Sequence, residues 1–290
     1  MTLIQFYKLY SKEIDKAIQS ALREDRINND ITTKSIIRGG ESRRIISAAL
    51  LCKEDCIAAG IEIFIRVYKK IDPKSNFIIY SKDGDFIRNK QTVLIVKSTL
   101  KNLLAGERTA LNFVQRMSGI ATLTNYFVKR LKFKGSKILH TRKTTPNFRL
   151  FELAAVKTGG GDFHRFSLGS AIMIKDNHIC SAGSIENVLK LIKKKKELTD
   201  NIEIEVKTYA ELNMVLKYGK GIVNTVMLDN FKQSGLNSAV RKLKVNGFNI
   251  EISGGINQAN FMKKQLKSID YYSIGILTHS YRSIDYSLEF

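Results

Sequence analysis

From about residue 120 onward, short apolar runs alternate with stretches of helical periodicity, and nearly every apolar run ends on charged or glycine-rich residues. The runs are Ile138–Leu139, Ile172–Ile174, Ile202–Val206, Val226–Leu228, Ile250–Ile252 and Tyr271–Ile274. Between them Phe148–Val156, Glu186–Lys196, Tyr209–Leu216 and Gln258–Leu266 read as helices. Spacings of roughly 20 to 35 residues between parallel-type strands are those of β/α units. The pattern favours an α/β barrel, complete or open, with six strands visible and room for one more. A doubly wound sheet would share the property that matters for function, because both architectures gather ligands at the C-terminal ends of their strands.

The first hundred residues lack a repeating unit. A helix carries Leu9, Ile14, Ala17, Ile18 and Ala21 on its apolar face, and Ile45–Cys52, Phe77–Tyr80 and Val93–Val96 read as strands, with a turn at Lys82–Asp85. Ser98 stands as N-cap to a helix over Thr99–Met117, whose stripe is Leu100, Leu103, Leu104, Leu111 and Val114, and Gly119 ends or kinks it. These elements predict a small α/β domain over 1–112 and a barrel over 113–277, with the tail 278–290 packing back on the first domain.

Composition enters through charge. The chain has 48 Lys and Arg against 27 Asp and Glu, a net +21. Nucleic-acid binding would account for it, but the lysines are dispersed. The dense run Lys193–Lys196 ends a helix over Glu186–Glu197, where cations complement the helix dipole and a solvated face suffices. A generally lysine-rich surface would give the same excess, and so would a site for small polyanions. With 43% hydrophobic residues and only two prolines, the chain can form an ordinary globular core. Met1–Leu22 is interrupted by Lys8, Glu13 and Asp15, and no run approaches the roughly 18 apolar residues of a membrane span. Cys52, Cys56 and Cys180 lack the spacing of a metal site, read as small buried hydrophobes, and suit a reducing cytoplasm.

The polar residues that follow the strands carry the chemistry. Arg142 and Lys143 offer a planar fork for a carboxylate and a point charge for a phosphate, although taken alone an exposed basic pair is the better reading of them. In Gly159–Arg165, three glycines permit close backbone approach to a ligand, and His164 and Arg165 follow at once. Lys175 projects from a strand end, where a lysine among other cations makes sense beside an anion. Glu203 and Glu205 share one face of their strand. Glu205, nearer the rim, can orient ribose hydroxyls or hold Mg²⁺ together with Asp229, whereas Glu203 reads equally as a structural ion pair. Ser253-Gly254-Gly255 and Gly275 follow the last two strands, a recurrent place for a phosphate held by backbone N–H groups.

Taken together, Glu107–Phe113, Ser118–Thr122, Thr141–Pro146, Gly159–Arg165 and Ile174–Ile179 resemble the quinolinate phosphoribosyltransferases, also called nicotinate-nucleotide pyrophosphorylases (carboxylating). The resemblance runs from Asp30-Ile31-Thr32-Thr33 to Leu277-Thr278-His279-Ser280, nearly the whole chain. It implies an N-terminal α/β sandwich, a barrel of seven strands, and a homodimer with shared sites, a larger assembly being compatible. Arg108 matches the arginine donated across the interface. Thr141, Arg142, His164, Arg165 and Lys175 match the quinolinate set. Lys143, Glu205, Asp229, Ser253, Gly254, Gly255 and Gly275 match positions for phosphoribosyl pyrophosphate and its Mg²⁺, with Ile274, Ile276 and His279 beside them.

The implied catalytic residues are Lys143, Lys175, Glu205 and Asp229, and the products are nicotinate mononucleotide, pyrophosphate and CO₂. No nucleic-acid or membrane partner is implied. A transferase of the same fold with another acceptor keeps part of the pattern, but His164-Arg165 with Lys175–His178 favours the pyridine diacid. His140, Asn147, Phe163 and Asn29 depart from the residues usual in the family, and the first and third bear on pocket shape.

Overall fold

The computed structural model describes residues 1–37, 39–194 and 201–290. It divides into two compact units, the first of Met1–Tyr126, Thr144–Gly160 and Leu277–Phe290, the second of Phe127–Lys143 and Gly161–Ile276. Among the described residues no helix is long and apolar enough to cross a membrane.

The first unit contains strands β1 (Ile45–Cys52), β2 (Cys56–Ile57), β3 (Asn76–Ile79), β4 (Phe86–Ile87) and β5 (Thr92–Thr99). β1 buries every second residue over Ala48, Leu50 and Cys52, as a half-covered strand does. It pairs antiparallel with β5 on one side and with the C-terminal strand Tyr286–Glu289 on the other, and β3 pairs with the far edge of β5. The helix Ile61–Ile71 contributes Ile61, Ile63, Phe64, Val67 and Tyr68 to the core. Cys52 and Cys56 are buried with their Sγ atoms 3.5 Å apart, whereas Cys180 is exposed on the helix Asp176–Ala182 rather than serving as a buried hydrophobe.

Three local expectations change in this unit. The N-terminal helix is two helices, Leu3–Leu9 and Ser11–Glu24, broken at Tyr10, so Leu9 is exposed while Ile14, Ile18 and Leu22 are buried. Ser98 is still inside β5, its hydroxyl donating to Asp72 at 3.0 Å, and the hydroxyl of Thr99 receives the Asn102 N–H at 3.3 Å instead. The helix that follows, Leu100–Val128, passes straight through Gly119. Glycine is needed there for space: a Cβ would collide with the backbone carbonyl of Arg282.

A buried ion pair braces the same unit. Glu152 on the helix Arg149–Thr158 is fully buried, receiving Arg116 Nη2 at 2.5 Å and the Thr145 N–H at 3.1 Å. The guanidinium lies 4.6 Å from the Phe148 ring centroid and 5.0 Å from that of Tyr281.

In the second unit β6 (Lys137–Leu139), β7 (Ile172–Ile174), β8 (Ile202–Val206), β9 (Thr225–Asp229), β10 (Asn249–Ser253) and β11 (Tyr271–Ser273) form a parallel sheet in the order β6-β11-β10-β9-β8-β7. A seventh strand is reduced to one parallel bridge between Leu139 and Asp162, whose N–H donates to the Ile138 carbonyl at 2.7 Å. The incomplete barrel follows from strands buried on both faces: in β8, Ile202, Ile204 and Val206 alternate with Glu203 and Glu205, and all five are buried. Phe261 packs edge-on against Phe127 and Tyr272, at 5.1 and 5.5 Å between centroids.

The predicted helix over Gln258–Leu266 shrinks to Phe261–Lys264, because Phe261 alone of its four residues is buried. Ile185–Lys193 is observed for the helix predicted over Glu186–Lys196, and Lys195, Lys196 and Glu197 lie outside the described residues. Gln233–Val245 is an additional helix with Leu236, Ala239, Val240 and Leu243 buried at helical spacing.

Candidate active site

The polar residues at the strand ends of the second unit fall into two groups. Lys175, one residue past β7, places Nζ 3.0 Å from Glu205 Oε2, and Lys207 Nζ lies 3.7 Å from Glu205 Oε1 and 2.7 Å from Asp176. Glu205 is almost buried, whereas the Lys175 side chain is 44% exposed. Asp229 ends β9 in register with Ser253 at the end of β10. Asn230 adopts a left-handed backbone (φ 48°), as do Gly254 (φ 91°) and Gly255 (φ 57°), and a Cβ at Gly254 would strike the Asn230 side chain. Lys264 Nζ binds the Gly254 carbonyl at 2.6 Å and faces the charge of Asp229. Ile274 is buried, its N–H donating to Leu139 at 3.1 Å, and Gly275 follows it.

The second group centres on the Asp162–Arg165 segment and the residues after β6. Lys143 donates its N–H to the Thr141 hydroxyl at 3.1 Å and is exposed. Arg165 is half-buried: burial and the Arg142 charge oppose its cation, and Glu203 favours it. Two guanidiniums that repel one another make a receptor for a doubly charged anion. Arg108 and His279, both exposed, belong to the first unit, on the helices Leu100–Val128 and Ile276–His279.

The His164 imidazole points into the barrel. Its Nε2 lies 2.9 Å from Glu203 Oε2 and 3.6 Å from Glu251 Oε2, beside a cavity of 590 Å³ that Phe163, Arg165 and Tyr271 also line. His140, fully buried, accepts the His164 N–H on its Nε2 at 3.0 Å. Sequence reasoning missed Glu251 and Lys264. The signal for Glu251 was present, since a carboxylate between Ile250 and Ile252 in a short apolar run repeats the pattern of Glu203.

Burial and the Glu203 charge push the Glu251 carboxyl up to about 8, with His164 opposing. Burial works against a charged His164, but the Glu203 hydrogen bond and the charges of Glu251 and Glu203 outweigh it and hold His164 above the ordinary range. Both shifts have the same sign for stability. A raised imidazole stabilises fully below its unfolded value and loses that contribution as pH rises through its folded value, while a raised carboxyl costs increasingly above its unfolded value of about 4.3. The thermal midpoint is therefore expected to fall between about pH 5 and about pH 8, and less steeply for Glu251→Gln. A flat or rising wild-type profile by calorimetry would contradict this.

Comparison with known proteins decides the family. Residues 30–118 match the sequence profile of the quinolinate phosphoribosyl transferase N-terminal domain, and residues 120–289 that of its C-terminal domain. The chain belongs to the quinolinate phosphoribosyl transferase family. It is 34% identical over 277 residues to a Bacillus subtilis protein named probable nicotinate-nucleotide pyrophosphorylase (carboxylating), covering 96% of this chain and 93% of the relative. It is 36% identical over 292 residues, 96% of this chain and 82% of the relative, to a Nicotiana tabacum protein named quinolinate phosphoribosyltransferase (decarboxylating) 2a, mitochondrial. A crystal structure of NadC from Streptococcus pyogenes superposes with a TM-score of 0.88 at 36% identity, over 96% of this chain and 95% of that one. His140 and Phe163, the two positions expected to bear on pocket shape, are neighbours, with ring centroids 6.4 Å apart.

Proposed function

We infer that this chain is a pentosyltransferase of NAD biosynthesis that moves the phosphoribosyl group of phosphoribosyl pyrophosphate onto quinolinate with decarboxylation, giving nicotinate mononucleotide, pyrophosphate and CO₂. The observation that carries this reading, beside the family membership, is Lys175 held 3.0 Å from Glu205 at one strand end. It stands in the same unit as Arg142 and Arg165, and the proposed roles require the diacid and the ribose to meet at this lysine.

Arg142, Arg165, Thr141 and His164 are proposed to bind the diacid. Lys143 and the backbone of Ser253, Gly254 and Gly255, with Ile274, Gly275, Ile276 and His279 nearby, are proposed to hold the phosphoribosyl donor. Glu205 and Asp229 offer hard oxygen donors on neighbouring strands, which fit Mg²⁺; the bound ion, shared with the pyrophosphate, would neutralise charge on the leaving group. As the ribose gains positive charge, the Glu205 and Asp229 carboxylates stabilise it, while Lys143 offsets the departing negative charge. Lys175 orients acceptor against donor. Loss of CO₂ leaves its bonding electron pair on ring carbon 2, where the adjacent positive ring nitrogen stabilises it until the carbon takes a proton from water, so the protein supplies position and field. The exposed Arg108 completes the acceptor site of a second copy in a homodimer. The working domains are 1–112 with 278–290, and 113–277, and the buried free thiols Cys52 and Cys56 suit a reducing cytoplasm.

Purified protein given quinolinate, phosphoribosyl pyrophosphate and Mg²⁺ is expected to release CO₂ and nicotinate mononucleotide in equal amounts, and to stop when the ion is chelated. Turnover of nicotinate in place of quinolinate, without CO₂, would overturn the assignment.

A further inference from the structure

We propose that Glu251 is a positioning residue for the acceptor: with Glu203 it holds the His164 imidazole inside the barrel, and so fixes the adjoining Arg165 against the diacid. The proposal rests on the role given to Arg165 above.

Glu251 lies two residues before Ser253 on β10, and its side chain is 1% exposed. A carboxylate so placed is expensive to bury unless something is gained by it. Its cationic neighbour within ion-pair distance is His164, at 3.6 Å, which Glu203 holds at 2.9 Å from the adjoining side. The Asp162–Arg165 segment needs such a hold. Its sheet pairing amounts to the single bridge at Asp162, so the three residues beyond it lack a strand ladder to set their course.

Side chains take over where the ladder stops. His140 accepts the His164 N–H at 3.0 Å, and because a backbone N–H can only donate, His140 Nε2 is bare and its proton sits on Nδ1, 3.3 Å from the Thr141 carbonyl. Backbone and ring of His164 are thus fixed separately, by His140 and by the two glutamates. Arg165 follows in the chain under the opposing charge of Arg142, which would push an untethered guanidinium aside. Glu251 therefore acts at one remove, without touching substrate.

Glu251→Gln keeps the volume and replaces the buried carboxyl with an amide that cannot ionise. It is expected to raise the KM for quinolinate about tenfold, while the KM for phosphoribosyl pyrophosphate stays within about twofold and unfolding stays cooperative. In ¹⁵N-histidine-labelled full-length protein, which has four histidines, the His164 Nε2 resonance is expected to shift and its proton to exchange faster in the variant, Glu203 alone then holding the ring. If Glu251→Gln does not fold, Glu251→Asp, which draws the carboxylate back by one methylene, is expected to give the same selective rise. Two KM values that move together, or neither moving, would overturn the proposal alone. An inactive wild-type protein would remove the functional reading and the proposal with it.

Discussion

Arg165→Ala is expected to raise the KM for quinolinate on the order of 100-fold, with the KM for phosphoribosyl pyrophosphate changed by less than about twofold. The size follows from losing a planar fork that makes two charge-assisted hydrogen bonds to one carboxylate, each worth about 1.5 kcal/mol or more. The fold should not suffer, because the free protein holds Arg165 against the charge of Arg142 and is relieved of that repulsion in the variant. Arg165→Lys restores the charge without the fork and should recover only part of the loss. Steady-state kinetics with both substrates varied, together with calorimetric titration of quinolinate, tests this. Unchanged quinolinate affinity would remove Arg165 from the acceptor site.

The largest effect on stability is expected at Arg116. Arg116→Ala leaves the fully buried carboxylate of Glu152 with the Thr145 N–H but without its countercharge, and breaking one side of a buried pair costs about 3–5 kcal/mol. Contact of the guanidinium with the rings of Phe148 and Tyr281 is lost as well. Replacing both partners by apolar residues, Arg116→Met with Glu152→Leu, is expected to recover most of the loss because no unpaired charge remains. Urea unfolding monitored by circular dichroism measures each. A loss below about 1 kcal/mol for Arg116→Ala would mean that the carboxylate finds another partner.

Much of this arrangement was legible before any coordinates. β1, β7 and β8 have the bounds read from their apolar runs, since a short run of branched residues between polar breaks has few other uses. The strand-end position of Lys175, Glu205 and Asp229 followed from the same reading. What escaped it depended on tertiary context. Gly119 looks like a helix stop, yet it serves the close passage of the Arg282 backbone, 163 residues away by subtraction of 119 from 282. Ser98 has the chemistry of a cap, yet β5 runs one residue further and gives that place to Thr99. His164 was legible as a candidate diacid ligand because Arg165 follows it. Its inward turn depends on Glu203 and Glu251, carboxylates on two different strands whose convergence no local pattern states.

The strand Tyr286–Glu289 has a consequence for the order of events on the ribosome. All residues of the second unit have been made once residue 276 is added, but β1 cannot gain its outer neighbour until Glu289 exists. Lys53 and Glu289, which form an ion pair beside this strand pairing, are 236 residues apart. Closing so long a loop is entropically unfavourable and slow relative to local contacts. The barrel can therefore condense while the first unit still presents an open sheet edge, and an open edge is where a nascent chain recruits the wrong partner. The strand Tyr286–Glu289, made after the whole of the second unit, is the one that seals it.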